Sequence, residues 1–227
     1  ITKINLADVK TLNDIKNEKG YGSMPANGNA RALVIPVEFT DYKAPSGIKE
    51  RLNTAFFGAS GQTGWESLYS YYYKTSYGKL NISGTVTDVF NTGKKSSYYE
   101  NIYSNDPNSA PEYEIIKAAL EYFDGSIDYN DYDADGDGYI DALYIIYTAP
   151  VDYDNVDYWW AFTYEYFTET EEKYDGVEAD FYTFLGYDFF DETLMDNTTK
   201  ISINTETIIH ESGHILGITD YYDYDAE

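Results

Sequence analysis

Apolar positions along the chain recur with two spacings, one near 3.6 residues and one near 2, and together they predict a domain that mixes helices with strands. Residues 8–19 have helical spacing but run into Gly20, Gly22, Pro25 and Gly28, which predicts an arm and linker ahead of the domain. Residues 31–39, RALVIPVEF, form a compact apolar strand. Pro36 has no N–H for a ladder, so this strand is expected at a sheet edge or at a bulge. Helices are predicted over residues 46–57, closed by Gly58, and 65–76, closed by Gly78. Residues 79–90 alternate, with Leu80, Ile82, Val86 and Val89 on the apolar side. Pro111 suits the first turn of a helix reaching Phe123. Residues 142–149 predict a buried strand and residues 181–185 a short one. Asn204 or Thr205 can cap a last helix with Ile208, Ile209, Ile215 and Leu216 on its core face. Ser212 and Gly213 on that helix are small enough for another element to approach closely. No internal repeat is evident.

Composition narrows the setting. The 227 residues are 43% apolar, enough for one sizeable core. Forty acids against fifteen bases leave a net charge of −25, so no basic stripe exists to neutralise phosphates, and neither nucleic acid nor an anionic membrane surface is expected as partner. Cysteine is absent, which removes thiol catalysis, disulfides and thiolate metal sites. Such a chain fits the cytoplasm or a bacterial exoprotein stabilised by calcium. No apolar run is long enough to span a bilayer. Beginning at Ile1 without an apolar signal segment, the chain is expected to be a mature or trimmed form.

The chemistry gathers near the end. The only two histidines lie in His210-Glu211-Ser212-Gly213-His214. Residues four apart share a helix face, so both imidazoles can point at one metal ion. Zinc takes neutral imidazole nitrogens at about 2.0–2.1 Å and keeps a position open for water in catalytic sites. Glu211, beside the first histidine, can take a proton from that water. The pattern extends through Gly217 to Asp220, HExxHxxGxxD. A glycine there can adopt the left-handed conformation that ends a helix and turns the chain back. Asp220 is then the expected third ligand, an oxygen zinc accepts at about 2.0–2.2 Å. The competing reading makes Asp220 a solvated turn residue. An arrangement with a glutamate from a later helix is not expected in the stretch that follows His214.

A second metal signal is Asp131-Tyr-Asp133-Ala-Asp135-Gly-Asp137-Gly138-Tyr139-Ile-Asp141. Alternating aspartates with glycine at the sharp turn match the first part of a calcium loop, in which side-chain oxygens alternate inward and a backbone carbonyl, here that of Tyr139, contributes. The position of the usual closing glutamate is Tyr144, and a strand follows, so the match covers only the first nine residues of such a loop. Five like charges this close repel unless a cation joins them. The bland reading is an acidic surface turn.

These stretches resemble the immune inhibitor A-like family of secreted bacterial zinc metallopeptidases. The matching pieces are Leu33-Val-Ile-Pro-Val-Glu-Phe-Thr-Asp41, Tyr69-Ser-Tyr-Tyr-Tyr-Lys-Thr-Ser-Tyr-Gly-Lys-Leu80, the Asp-rich loop with its strand over residues 131–147, Trp159-Trp160, and Ile209-His-Glu-Ser-Gly-His-Ile-Leu-Gly217. The resemblance implies an α+β zincin fold, metzincin-like, with a twisted mixed sheet, a backing helix and an active-site helix below the cleft. It implies endopeptidase activity on extracellular proteins, zinc at His210 and His214, and structural calcium. One departure stands out. Metzincin-type enzymes carry a methionine turn after the zinc motif, whereas Met24 and Met195 both precede it. The expectation is an arm over residues 1–29, read as a propeptide remnant, and a peptidase domain over 30–227 that lacks its C-terminal lobe.

The expected reaction is hydrolysis of peptide bonds in protein or peptide substrates by a monomeric, secreted enzyme. Glu211 acts as general base, an edge strand holds the substrate, and Tyr221 or Tyr222 stabilises the oxyanion. A serine triad is not expected, because both histidines sit in one helix turn and no GxSxG occurs. The alternative is a non-catalytic binding or adhesion module stabilised by calcium and zinc, for which 27 tyrosines would provide a sticky surface. A cytoplasmic zinc peptidase of unrelated fold comes third.

Overall fold

A computed structural model describes residues 23–151, 158–167, 172–195 and 199–220. The expected N-terminal helix over residues 8–19 and the oxyanion candidates Tyr221 and Tyr222 lie outside them. In chain order the elements are β1 (Gly28–Glu38), α1 (Ile48–Phe57), α2 (Leu68–Thr75), β2 (Leu80–Val86), β3 (Phe90–Asn91), α3 (Ser96–Asn105), α4 (Glu112–Phe123), β4 (Ala142–Tyr147), β5 (Phe162–Glu165), β6 (Lys173–Tyr174), β7 (Val177–Glu178), β8 (Phe181–Gly186), β9 (Thr193–Met195), β10 (Thr199–Ile201) and α5 (Glu206–Ile215). No helix among the described residues is long and apolar enough to cross a membrane.

Strand β4, ALYIIY, is buried at every position. A strand can be so only when layers cover both faces of its sheet. β1 and β8 flank β4 in parallel, β2 and then β3 pair in parallel with the far side of β1, and β5 ends the sheet antiparallel to β8. The order is β2-β1-β4-β8-β5. On one face Leu33, Ile35, Val37, Leu143 and Ile145 meet Ile115, Ile116, Ala119 and Leu120 of α4. On the other, Val34, Tyr144 and Ile146 meet Leu52 and Phe56 of α1, Leu68 and Tyr72 of α2, and Ile208 and Ile215 of α5. Each of these buried valine, leucine and isoleucine side chains contributes about 1.5–3 kcal/mol relative to exposure. A mixed sheet with five α-helices among the described residues agrees with the α+β expectation.

Pro36 is not at a sheet edge. β1 is central, and the ring is accommodated by a break in its neighbour. Val34 and Glu38 direct their carbonyls to Thr87 and Thr92 on the β2–β3 side, so the backbone of Pro36 faces that side too. β2 pairing ends at Val34↔Val86 and β3 pairing begins at Val37↔Phe90. The missing N–H therefore falls where no ladder partner is present. The same break splits the single strand expected over residues 79–90 into β2 and β3.

Three further differences have local causes. α2 starts at Leu68 because Ser67 and Ser70 form a reciprocal capping box, leaving Trp65 outside. α3 carries no apolar stripe, only Ser96 and Tyr99 being buried, so nothing in its pattern announces it; Asp41 accepts from its first N–H at 2.9 Å. β5 is four residues long, too short to show a period. Within the expected linker, residues 23–25 are buried, and the Met24 N–H donates to the Ile215 carbonyl at the end of α5 at 3.3 Å.

Candidate functional site

Helix α5 is held from both ends and from beneath. At its start Thr205 holds the N-cap position but its hydroxyl donates to the Glu66 carbonyl at 2.7 Å, while the side chain of Asn204, one residue earlier, accepts from the Glu206 N–H at 3.0 Å. Beneath, the Tyr72 hydroxyl donates to the Ile209 carbonyl at 2.8 Å. The Ser212 hydroxyl donates to the Ile208 carbonyl, which leaves it to accept from Tyr144 of the central strand at 2.7 Å. Burial pushes the Tyr144 phenol far above its ordinary range, so it stays neutral and able to donate. At the C-terminus Gly217 has φ +82°, and the N–H groups of Gly217 and Ile218 reach back to the carbonyls of His214 and Gly213 at 2.8 and 2.9 Å. This is a Schellman closure, and it turns the chain back along the helix.

The turned-back residues meet the histidines. The Ile218 carbonyl accepts from Nδ1–H of His214 at 2.8 Å, which fixes the tautomer and leaves the Nε2 lone pair facing outward. Asp220 Oδ1 lies 3.2 Å from Nε2 of His210 and 3.5 Å from Nε2 of His214. The rings are nearly perpendicular, at 89° with centroids 4.9 Å apart. A tetrahedral zinc with ligands at about 2.0–2.1 Å has ligand–ligand edges of about 3.3 Å. Both nitrogen–oxygen separations match such an edge, and the two-imidazole, one-carboxylate set suits zinc. The residues present therefore fit the ion. His210 is 51% exposed at its side chain and opens onto a cleft of about 740 Å³.

Glu211 lines the same cleft beside that ligand set and is buried at 6% exposure. Burial raises its pKa, opposed by a hydrogen bond from Thr163 and by the two histidines. Thr163, on the edge strand β5, donates to Glu211 Oε2 at 3.0 Å. Trp160 and Phe189, packed edge to face at 5.4 Å, line the cleft together with Phe181. The arrangement combines three atoms able to ligate a metal, an adjacent buried carboxyl, a strand edge that is unpaired among the described residues, and an aromatic wall.

The Asp-rich loop gathers some of its carboxylates and not others. Asp133, Asp135 and Asp141 bring carboxylate oxygens together. Asp133 also accepts from the N–H groups of Gly136, Asp137 and Gly138 at 2.7, 3.0 and 2.9 Å, a turn that Gly136 and Gly138 allow with φ of +74° and +93°. Asp141 is fully buried and accepts from Arg31 N–H at 2.7 Å and Ala134 N–H at 3.2 Å. Burial, reinforced by Asp135 and Asp133, pushes its pKa up to about 7 against those two bonds. Asp131 and Asp137 stand outside this group: the Asp131 carbonyl accepts from the Arg31 side chain, and Asp137 Oδ1 accepts from Tyr139 N–H. Tyr139 bridges to Glu178, which ties the loop to β7.

Thr163, Thr183, Trp160 and Phe189 took no part in the sequence reading of the site. Thr163 sits 48 positions from Glu211, and no spacing rule spans that distance. No protein-family model matches this sequence, and no curated protein matches it.

Proposed function

We propose that the chain is a zinc-dependent endopeptidase of the immune inhibitor A-like kind, secreted from a bacterium, stabilised by calcium and acting as a monomer on protein or peptide substrates. One observation carries this reading: Nε2 of His210, Nε2 of His214 and Oδ1 of Asp220 converge at the edges of a zinc tetrahedron beside a buried Glu211. Three protein ligands and an open cleft leave a fourth position for substrate or water, which a purely structural site lacks. Zinc, when bound there, supplies Lewis-acid polarisation and makes a water acidic near neutral pH. Glu211 takes the proton of the attacking water and returns it to the leaving amine. The outer edge of β5 is unpaired among the described residues and runs beside the cleft, so an extended peptide adds to the sheet there. Asp133, Asp135 and Asp141 form the calcium site, with Asp131, Asp137 and the Tyr139 carbonyl completing it once a cation draws the loop inward.

The test is metal content followed by turnover. Protein purified without chelator should hold zinc near one per chain, and His214→Ala should lose it. The wild-type chain should cleave casein in a chelator-sensitive way. Glu211→Ala should keep the zinc and lose turnover by about 10²–10⁴-fold. A zinc-loaded wild-type chain inert on every unfolded protein tried would favour the binding-module reading instead.

A further inference from the structure

The hydrogen bonds around Glu211 have a direction that the peptidase reading alone does not require. Thr163 Oγ1 lies 3.0 Å from Glu211 Oε2, 3.1 Å from the Glu211 carbonyl and 2.8 Å from Thr183 Oγ1. A threonine hydroxyl has one proton. With the Glu211 carboxylate ionised both of its atoms can only accept, so the Thr163 proton goes to Glu211, and the carboxylate is the stronger acceptor. Thr183, fully buried on β8, must then be the donor to Thr163. The result is a relay directed one way, Thr183 to Thr163 to Glu211, across β8, β5 and α5. Each hydroxyl that accepts one hydrogen bond becomes a better donor of the next. Glu211 Oε1 accepts no hydrogen bond among the described residues, and Glu211 lines the cleft.

We propose that Thr163 is a positioning residue for the general base: with Thr183 behind it, it anchors Oε2 so that Oε1 alone faces the reacting water and carries the transferred proton. This inference rests on the peptidase reading above. Proton transfer needs a donor–acceptor distance of about 2.6–3.2 Å in a fixed direction, and a carboxylate free to swing about its terminal torsion would spend most of its time away from it. When Oε1 takes the proton from water, Oε2 becomes the carbonyl-like oxygen. The Thr163 hydroxyl still fits that oxygen, so the carboxyl does not rotate. The proton stays on the oxygen facing the cleft and is delivered from there to the leaving amine. Because Thr163 sits on the strand along which the substrate is expected to lie, seating a peptide on β5 also fixes the height of this anchor over α5.

Two measurements test the proposal, one free of metal and one with the zinc-loaded chain. In zinc-free protein, the changes in melting temperature caused by Thr163→Val and by Glu211→Ala should not add in the double variant, because the two substitutions remove the two ends of one bond. Strict additivity would overturn the anchoring role. In the zinc-loaded chain, Thr163→Val should lower kcat at least 10-fold, with KM within about twofold and zinc content unchanged, and Thr163→Ser, which keeps the hydroxyl, should restore kcat to within about threefold. A merely structural threonine would change KM and stability together and would not be rescued through kcat. Wild-type kcat in Thr163→Val overturns the positioning role and leaves the peptidase reading standing. A wild-type chain that holds zinc and never turns over overturns both.

Discussion

At the residue scale, Asp141 joins the two halves of the calcium question. Its folded pKa is raised from the ordinary 3.8 to about 7, first by burial and then by Asp135 and Asp133. Without a cation, the stability it contributes is full below about pH 4 and is lost as pH rises toward about 7. A bound cation reverses this by favouring the charged form. Asparagine at this position keeps one oxygen, and one suffices: Oδ2 alone lies 2.7 Å from Arg31 N and 3.3 Å from Ala134 N. Calcium-free Asp141→Asn should therefore melt higher than wild type at pH 7 and no higher at pH 4. It should also lose the upward shift that millimolar calcium gives wild type, a shift worth about 2.7 kcal/mol at a hundred times the dissociation constant. Scanning calorimetry with and without calcium at both pH values checks this. A wild-type melting temperature indifferent to calcium counts against the loop as a cation site.

At the element scale, the two glycines of the HExxHxxGxxD stretch have different reasons for being there. Gly217 holds φ +82° at the point where the chain leaves α5 and returns with Asp220. An alanine there costs roughly 1–2 kcal/mol in the left-handed region and disturbs the turn that carries Ile218 and Asp220 to the histidines. Gly217→Ala should lower the melting temperature and weaken zinc binding at least 10-fold, read by competition with a zinc chelator. Gly213 is an interior helical residue, and a Cβ on it would sit 3.5 Å from the Tyr72 hydroxyl, an ordinary contact. The close approach at this point therefore does not demand glycine. Gly213→Ala should keep zinc affinity and gain up to about 1 kcal/mol from helix propensity. Equal damage from both substitutions would mean that the closing turn does not set the position of Asp220.

At the scale of the whole molecule, the net charge of −25 works against compactness. Among the described residues several ion pairs relieve it locally, Lys43–Glu38 at 3.0 Å and Lys49–Asp88 at 2.7 Å among them. Apart from the histidine–Asp220 contacts, the described pairs involve exposed lysines, and such pairs are worth about 0–1 kcal/mol each. Self-repulsion is expected to outweigh them. Raising monovalent salt from 0.01 M to 0.15 M shortens the screening length from about 30 Å to about 8 Å. The melting temperature should rise over that range in the absence of calcium, and by less when calcium is bound. A fall with salt would show that the surface pairs dominate instead.

What the sequence determined by itself is what lies within a few turns of one helix or one loop. The partnership of His210 with His214 follows from helical spacing, the return of Asp220 from a glycine that can take positive φ, and the gathering of Asp133 and Asp135 from alternation about a turn. In each case the backbone geometry needed is a property of consecutive residues. The buried strand β4 was legible for the same reason, since a run that is apolar throughout has only one environment that suits it. What joins distant segments was decided only by the tertiary structure. Pro36 sits in a central strand because β2 ends and β3 begins opposite it, a break that no local pattern encodes. Asp141 reaches its neighbours' charges in a setting made by Arg31 on another strand, 110 positions away. Thr163 reaches Glu211 only because a four-residue strand pairs antiparallel with β8 and so crosses above α5. Periodicity constrains which face of an element is buried, whereas pairing partners are chosen by the packing free energy of the whole sheet, and that sum does not appear in any single window of the chain.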